Sequence, residues 1–220
     1  MVKSVKVLEA DQNNVKLKFE GFELSYLNSV RRISLAELPV LAIDDVVILE
    51  NTSPVYDEVV AHRLGLIPLI TPVDKYPLPE ECDCNSPSGC PKCRVMIVLD
   101  AVATNIARTV YSGELVAPED PSVRPVSDKI PIVRLAPNQR IKIEAYAKMG
   151  RGRDHAKWQA APVAILTEAE GKEDARILEV ESVGNYPAPV LLLKSVQMLE
   201  KQIKQLAEGI AEQTAEQLTL

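Results

Sequence analysis

Six apolar residues in the last third of the chain, Leu192, Val196, Leu199, Ile203, Leu206 and Ile210, are spaced 4, 3, 4, 3 and 4 positions apart. That spacing brings side chains onto one face of an α-helix, and held for almost three heptads the face is a narrow seam. The helix follows Pro187 and Pro189. Its seam needs a cover, either a sheet of the same chain or a helix of another. Spacing alone balances the two, although strict 3-4 alternation suits helix-to-helix contact.

The start of the chain has a different period. Val5 and Val7, then Val15, Leu17 and Phe19, alternate with polar residues on either side of a turn at Asp11 to Asn14, predicting a hairpin. From Phe22 to Leu38 the period becomes helical, with Leu24, Leu27, Val30, Ser34 and Leu38 in one stripe and Arg31, Arg32 and Glu37 off it; Pro39 ends the helix. Residues 40–50 predict a strand and Val59 to Leu66 a short helix. Further strands are expected at Val95 to Leu99, Ile130 to Leu135 and Ile141 to Ala147, the last alternating so regularly that one sheet face should be wet. Ser112 to Lys129, with Pro118, Pro121 and Pro125, reads as a long surface loop. Val163 to Leu166 and Ile177 to Val183 predict two more strands around a charged turn containing Gly171.

With 220 residues, 46% apolar, the chain can bury one large core or two small ones. The net charge is −6, and residues 167–220 hold five Lys/Arg against ten Asp/Glu, so the acidity lies in the tail. One Trp, six Tyr and two Phe leave few stacking platforms. Direct nucleic-acid binding is therefore not expected, since it needs a basic face or exposed rings. The N-terminal residues MVKSVKVLEADQNN show no secretory pattern, and no run approaches the roughly eighteen apolar residues of a membrane span, so a cytoplasmic protein is expected.

All four cysteines fall within twelve residues, as Cys82-x-Cys84-x5-Cys90-x2-Cys93. From Pro79 to Cys93 no aliphatic or aromatic side chain is present, so this loop cannot order itself by apolar burial. Four thiolates at these spacings can close a tetrahedral zinc site, with Lys92 and Arg94 offsetting charge. Structural zinc is favoured, and disulfides, an iron–sulfur cluster and free thiols stay open. A Cys82–Cys84 bridge would close a strained ring. Catalytic zinc is disfavoured because four cysteines leave no position for substrate.

His62 and His155 have no spaced partner for metal or nucleophilic chemistry, and no phosphate loop, G-x-S-x-G run or paired Asp motif is present. Gly150 to Arg153 with Lys157 form a small basic patch beside Trp158, the only Trp. His155, Lys157 and Trp158 are thereby candidate partner-docking residues.

Several stretches together resemble the family of D subunits of archaeal RNA polymerases: Leu27-Asn28-Ser-Val-Arg31-Arg32, Leu38-Pro39-Val-Leu-Ala-Ile43-Asp44, Glu50-Asn51-Thr-Ser-Pro54, and Asp57 through Leu69. Glu119-Asp120-Pro121, Gly152 through Trp158 and Glu179-Val-Glu181-Ser182-Val-Gly184 continue the resemblance in order. It spans nearly the whole chain and reaches, more distantly, the third-largest subunit of polymerase II and the bacterial alpha amino-terminal domain.

The resemblance implies an α+β fold in which a discontinuous dimerisation domain, an antiparallel sheet with two packing helices, joins residues 1–40 to 166–220. A mostly β domain, 41–165, is inserted and carries the cysteine loop 79–93. It implies a subunit of a nucleotidyltransferase complex with no catalytic residues of its own, pairing with small subunit L, binding small subunits N and P, and docking the large catalytic subunits. Dimerisation would use Leu27, Val30 and Ser34 and the seam from Leu192 to Ile210; Asn28, Arg31 and Arg32 would grip a large subunit. Many members carry a third, ferredoxin-like domain with iron–sulfur cysteines before the Glu-Val-Glu-Ser strand. Here 17 residues without Cys separate Trp158 from Arg176, so neither that domain nor a cluster is expected. The cysteine loop falls where the polymerase II relative has a zinc loop, but it departs from that relative in its middle spacing, which here is five residues. The alternative readings are a free-standing homodimeric zinc-binding regulator and a metalloenzyme.

Overall fold

The computed structural model describes residues 3–72, 74–84, 86, 89–170 and 174–218, with side chains to residue 214. In chain order the elements are β1 (Ser4–Ala10), β2 (Asn14–Glu20), α1 (Leu24–Ala36), β3 (Val40–Asn51), α2 (Asp57–Gly65) and β4 (Arg94–Ala103). Then follow β5 (Arg108–Tyr111), β6 (Pro131–Leu135), β7 (Gln139–Gly150), β8 (Val163–Glu168), β9 (Ala175–Glu181) and α3 (Ala188–Leu218). They form two compact units, and the fold is α+β with antiparallel sheets, as expected.

The first unit takes Met1–Leu38, Ala161–Ser182 and Pro187–Leu220. Its sheet has the order β1-β2-β9-β8, antiparallel throughout. Asp11 closes the first hairpin by accepting the N–H groups of Asn13 and Asn14, each at 2.7 Å. Lys16 stands opposite Glu179 and the two side chains pair at 2.9 Å. Val15, Ala175, Leu178 and Val180 are buried, and α1 packs on β8 and β9 while α3 packs on β2 and β9. Between β8 and β9, the Ala175 carbonyl accepts from Ala169 N–H at 3.0 Å; Gly171, expected in this turn, lies outside the described residues.

Helix α1 buries Leu27, Val30, Ile33 and Ser34. Leu24, expected in the stripe, is 56% exposed, while Ile33, three residues on from Val30, widens the buried face. Where α1 meets α3, Ser34 Oγ lies 3.0 Å from Ser195 Oγ, and each hydroxyl also reaches the carbonyl four residues back, Val30 at 3.0 Å and Leu191 at 2.9 Å. With two protons for three contacts, Ser195 donates to the Leu191 carbonyl and Ser34 to either the Val30 carbonyl or Ser195 Oγ, so neither small hydroxyl is a buried orphan where the helices meet.

The second unit takes Pro39–Ala160 and Val183–Tyr186. A three-stranded sheet, β3-β7-β4, has β7 at its centre, and Ile141, Ile143, Ala145 and Ala147 all face the core at 0% exposure. Leu41, Ile43, Val60, Leu64, Leu99 and Leu135 complete that core, with α2 laid on β3 and β6. β5 and β6 pair as a second small sheet.

Residues 112–129 are not the surface loop their prolines suggested. Leu115, Ala117 and Val123 are buried and Val116 bridges to Val98. Asp120, 6% exposed, accepts from Tyr76 Oη at 2.5 Å, Lys75 Nζ at 2.8 Å and Ser122 Oγ at 2.6 Å. Burial alone would raise its pKa, but the bonds from Lys75, Ser122 and Tyr76 outweigh it and hold the carboxyl well below the usual range. Prolines preset backbone angles; these tertiary bonds decide that the segment packs.

Candidate metal centre and docking surfaces

The cysteine loop ends on β4, which fixes one side of the cluster. Cys93, 1% exposed, directly precedes that strand, and a tight turn returns its N–H and that of Arg94 to the Cys90 carbonyl, both at 3.0 Å. Cys90 N–H donates to Cys93 Sγ at 3.2 Å. Gly89 turns the chain with φ +75°, and a Cβ there would lie 3.3 Å from Cys93 Sγ, so the loop hugs the sulfur where glycine stands.

The sulfurs of Cys82 and Cys90 are 3.8 Å apart, those of Cys84 and Cys93 3.9 Å, those of Cys90 and Cys93 3.9 Å, and all four lie within 4.8 Å of one another. A tetrahedral zinc with Zn–S near 2.3 Å requires ligand edges of about 3.8 Å. The donor set and its spacing therefore fit a metal held by four thiolates, and Lys92 and Arg94 flank it. Cys90 is pushed down to about 7 by the Lys92 N–H. Cys82 is pushed up to about 12, since the favourable Cys84 N–H is outweighed by the Cys84 thiol, burial, and the thiols of Cys93 and Cys90. Sulfurs this close share protons instead of ionising together, and a divalent cation removes that conflict.

The basic patch is largely committed inside its own unit. Lys157 and Lys148 both pair with Asp44, and the Lys157 ammonium also lies 4.4 Å from the Trp158 ring centre. Trp158 is buried, donates to the Lys148 carbonyl at 3.2 Å and packs so tightly on Gly150 that a Cβ there would fall 2.3 Å from its ring. Arg151 pairs with Glu80 at 2.6 Å, linking the patch to the turn just before Cys82. Of the three candidate docking residues, Lys157 is held by Asp44 and Trp158 is buried, while His155 is exposed. Asp44 lies 113 positions from Lys157, so residue spacing could not show that the two pair.

On α1, Arg32 is exposed, and Asn28 Oδ1 accepts from Arg31 Nε at 2.9 Å, so one side chain orients the other. Leu27, Val30 and Ser34 are buried by this chain's own packing at 1%, 2% and 0% exposure, so Ser34 offers no surface to another chain. The α3 seam divides. Leu192 is buried and Val196 and Leu199 half-buried within the first unit, whereas Ile203, Leu206 and Ile210 are 53%, 65% and 59% exposed. A groove of about 420 Å³ continues the apolar surface, lined by Val5, Val7, Phe22, Tyr26, Leu193 and Val196. The exposure of β1, including Val5 and Val7, had no counterpart in the sequence reading.

One unit is thus an antiparallel sheet backed by two helices and the other a β unit whose cysteine loop is the one metal-capable cluster among the described residues. Residues 43–168 match the family described as RNA polymerase Rpb3/RpoA insert domain. Proteins named DNA-directed RNA polymerase subunit Rpo3 are similar over more of the chain. That of Pyrobaculum calidifontis is 37% identical, covering 94% of this chain and 96% of the relative. Those of Methanosphaera stadtmanae and Pyrobaculum neutrophilum are 45% and 50% identical over 71% and 72% of this chain, spanning 58% and 59% of those proteins, under two thirds of their length. The chain belongs to the Rpo3 family of DNA-directed RNA polymerase subunits, the archaeal D subunits. Among the described residues no helix is long and apolar enough to cross a membrane.

Proposed function

We propose that this chain is a non-catalytic assembly subunit of an archaeal-type RNA polymerase, cytoplasmic and without direct contact to nucleic acid. Its dimerisation domain, residues 1–40 with 166–220, pairs with subunit L; the inserted domain, 41–165, carries a structural zinc at Cys82, Cys84, Cys90 and Cys93. The pair then binds subunits N and P and docks the large subunits, with Asn28, Arg31 and Arg32 facing a large subunit. The connection from Trp158 to Arg176 leaves out the ferredoxin-like domain and its iron–sulfur cysteines.

The observation that carries this reading is the exposed half of α3. Every described side chain from residue 200 to 214 is exposed, and Ile203, Leu206 and Ile210 line up along that stretch. In heptad terms Val196, Ile203 and Ile210 take one apolar position and Leu199 and Leu206 the other, the β-branched and leucine arrangement that favours two paired helices. Covering three half-exposed aliphatic side chains supplies about 3 kcal/mol, before the groove beside them is counted.

Co-expression with subunit L tests the proposal. A 1:1 complex that recruits N, P and the large subunits supports it. A chain that stays apart from L, or forms a homodimer that L cannot exchange into, favours a free-standing regulator instead.

A further inference from the structure

We infer that the cysteine cluster is an oxidation site: peroxide converts its four thiolates into two disulfides, Cys82–Cys90 and Cys84–Cys93, and the metal leaves. The inference rests on the metal reading of the same four residues.

Access comes first. The sulfurs are not sealed in the core: Cys82, Cys84 and Cys90 line a cleft of about 710 Å³ together with Lys75, Lys92 and Arg94, and only Cys93 is buried. A small oxidant reaches three of the four from solvent.

Pairing follows from distance and ring size. Three sulfur pairs lie at 3.8–3.9 Å: Cys82 with Cys90, Cys84 with Cys93, and Cys90 with Cys93. Joining Cys90 to Cys93 would leave Cys82 with Cys84, one residue apart, whose bridge closes a strained ring. Joining Cys82 to Cys90 and Cys84 to Cys93 uses two short pairs and leaves nothing over. Both bridges tie the C-x-C side of the loop to the C-x2-C side, the same two sides a metal would hold.

The chemistry balances with one peroxide for each bridge. A thiolate attacks the peroxide oxygen, so an S–O bond forms, the O–O bond breaks and hydroxide leaves. The neighbouring thiolate then attacks the sulfenic sulfur, forming S–S and releasing a second hydroxide. Each pair gives two electrons to one hydrogen peroxide. Four anionic ligands become two neutral disulfides, which hold zinc poorly, and it departs as the hydrated ion. The sulfur separations contract to about 2.05 Å, which moves one wall of the cleft. A dithiol reductant reverses the bond changes.

The test uses the full chain, purified reduced and in zinc, then freed of reductant and titrated with hydrogen peroxide. Metal content is measured before and after, and disulfides are mapped without reduction after cleavage before Asp83 and after Lys92, with fragmentation within 85–89 to separate Cys84 from Cys90. Expected is loss of one zinc per two peroxides, the 82–90 and 84–93 linkages, and recovery of bound zinc after dithiothreitol. A chain that holds no zinc beforehand overturns the metal reading and the release step, while the linkages are still read from the same digest. A zinc-loaded chain that keeps its metal, links 82–84 and 90–93, or ends as sulfinic acids overturns the inference alone.

Discussion

Replacing Ile203 by Asp separates a surface kept for a partner from a surface the chain needs for itself. Ile203 is 53% exposed on a stretch of α3 whose neighbours are all exposed, so the free chain should lose no more than about 0.5 kcal/mol. Once a second helix covers the seam, the new carboxylate is desolvated without a counter-ion, at a cost on the order of 3 kcal/mol. That corresponds to a roughly 150-fold rise in Kd for subunit L, at about 1.4 kcal/mol per decade. Leu192→Asp is the contrast: Leu192 is 4% exposed inside the first unit, so this substitution should unfold or strongly destabilise the free chain. Urea denaturation of the free chains and titration calorimetry with L read the two quantities. The reasoning fails if Ile203→Asp destabilises the free chain as Leu192→Asp does, or if it leaves the affinity for L unchanged.

Gly150→Ala should cost about 2–3 kcal/mol by driving a methyl into the Trp158 ring, and a red shift of the single tryptophan's fluorescence should accompany it; an unchanged spectrum and midpoint would mean the close approach is wrong. Asp120 has a folded pKa well below its unfolded value near 3.9, so its contribution is complete above about pH 4 and is lost as pH falls through the folded pKa. Asp120→Asn should therefore cost about 2 kcal/mol at pH 7, and the gap from the wild type should shrink below pH 4; a gap independent of pH would contradict the assignment. Arg32→Ala should leave the pair with L intact and weaken recruitment of a large subunit, and Asn28→Ala should do so more mildly by releasing Arg31, as read by co-elution.

Patterns set by local period were legible in the sequence. The β7 alternation, the first hairpin and the α3 seam all came from side-chain spacing, which depends only on backbone geometry. Spacing does not say what lies opposite. It could not show that Leu192 is buried within its own unit while Ile203, three turns on along the same face, is exposed. The four-residue β5 was missed because one buried residue, Val110, makes no period. The sequence places Trp158 among basic residues but not inside the fold; the pairing of Asp44 with Lys148 and Lys157, and the room Gly150 leaves for the ring, are tertiary. The cysteines were legible as a set, because the ligand spacing is local; their sulfur geometry was not.

The account's central claim is tested most directly by native mass spectrometry of this chain mixed with subunit L, which weighs partners and metal in one spectrum. It predicts a single 1:1 heterodimer carrying one zinc, with the Ile203→Asp chain left unpaired under the same conditions. A chain that remains a monomer or a homodimer in the presence of L would contradict it.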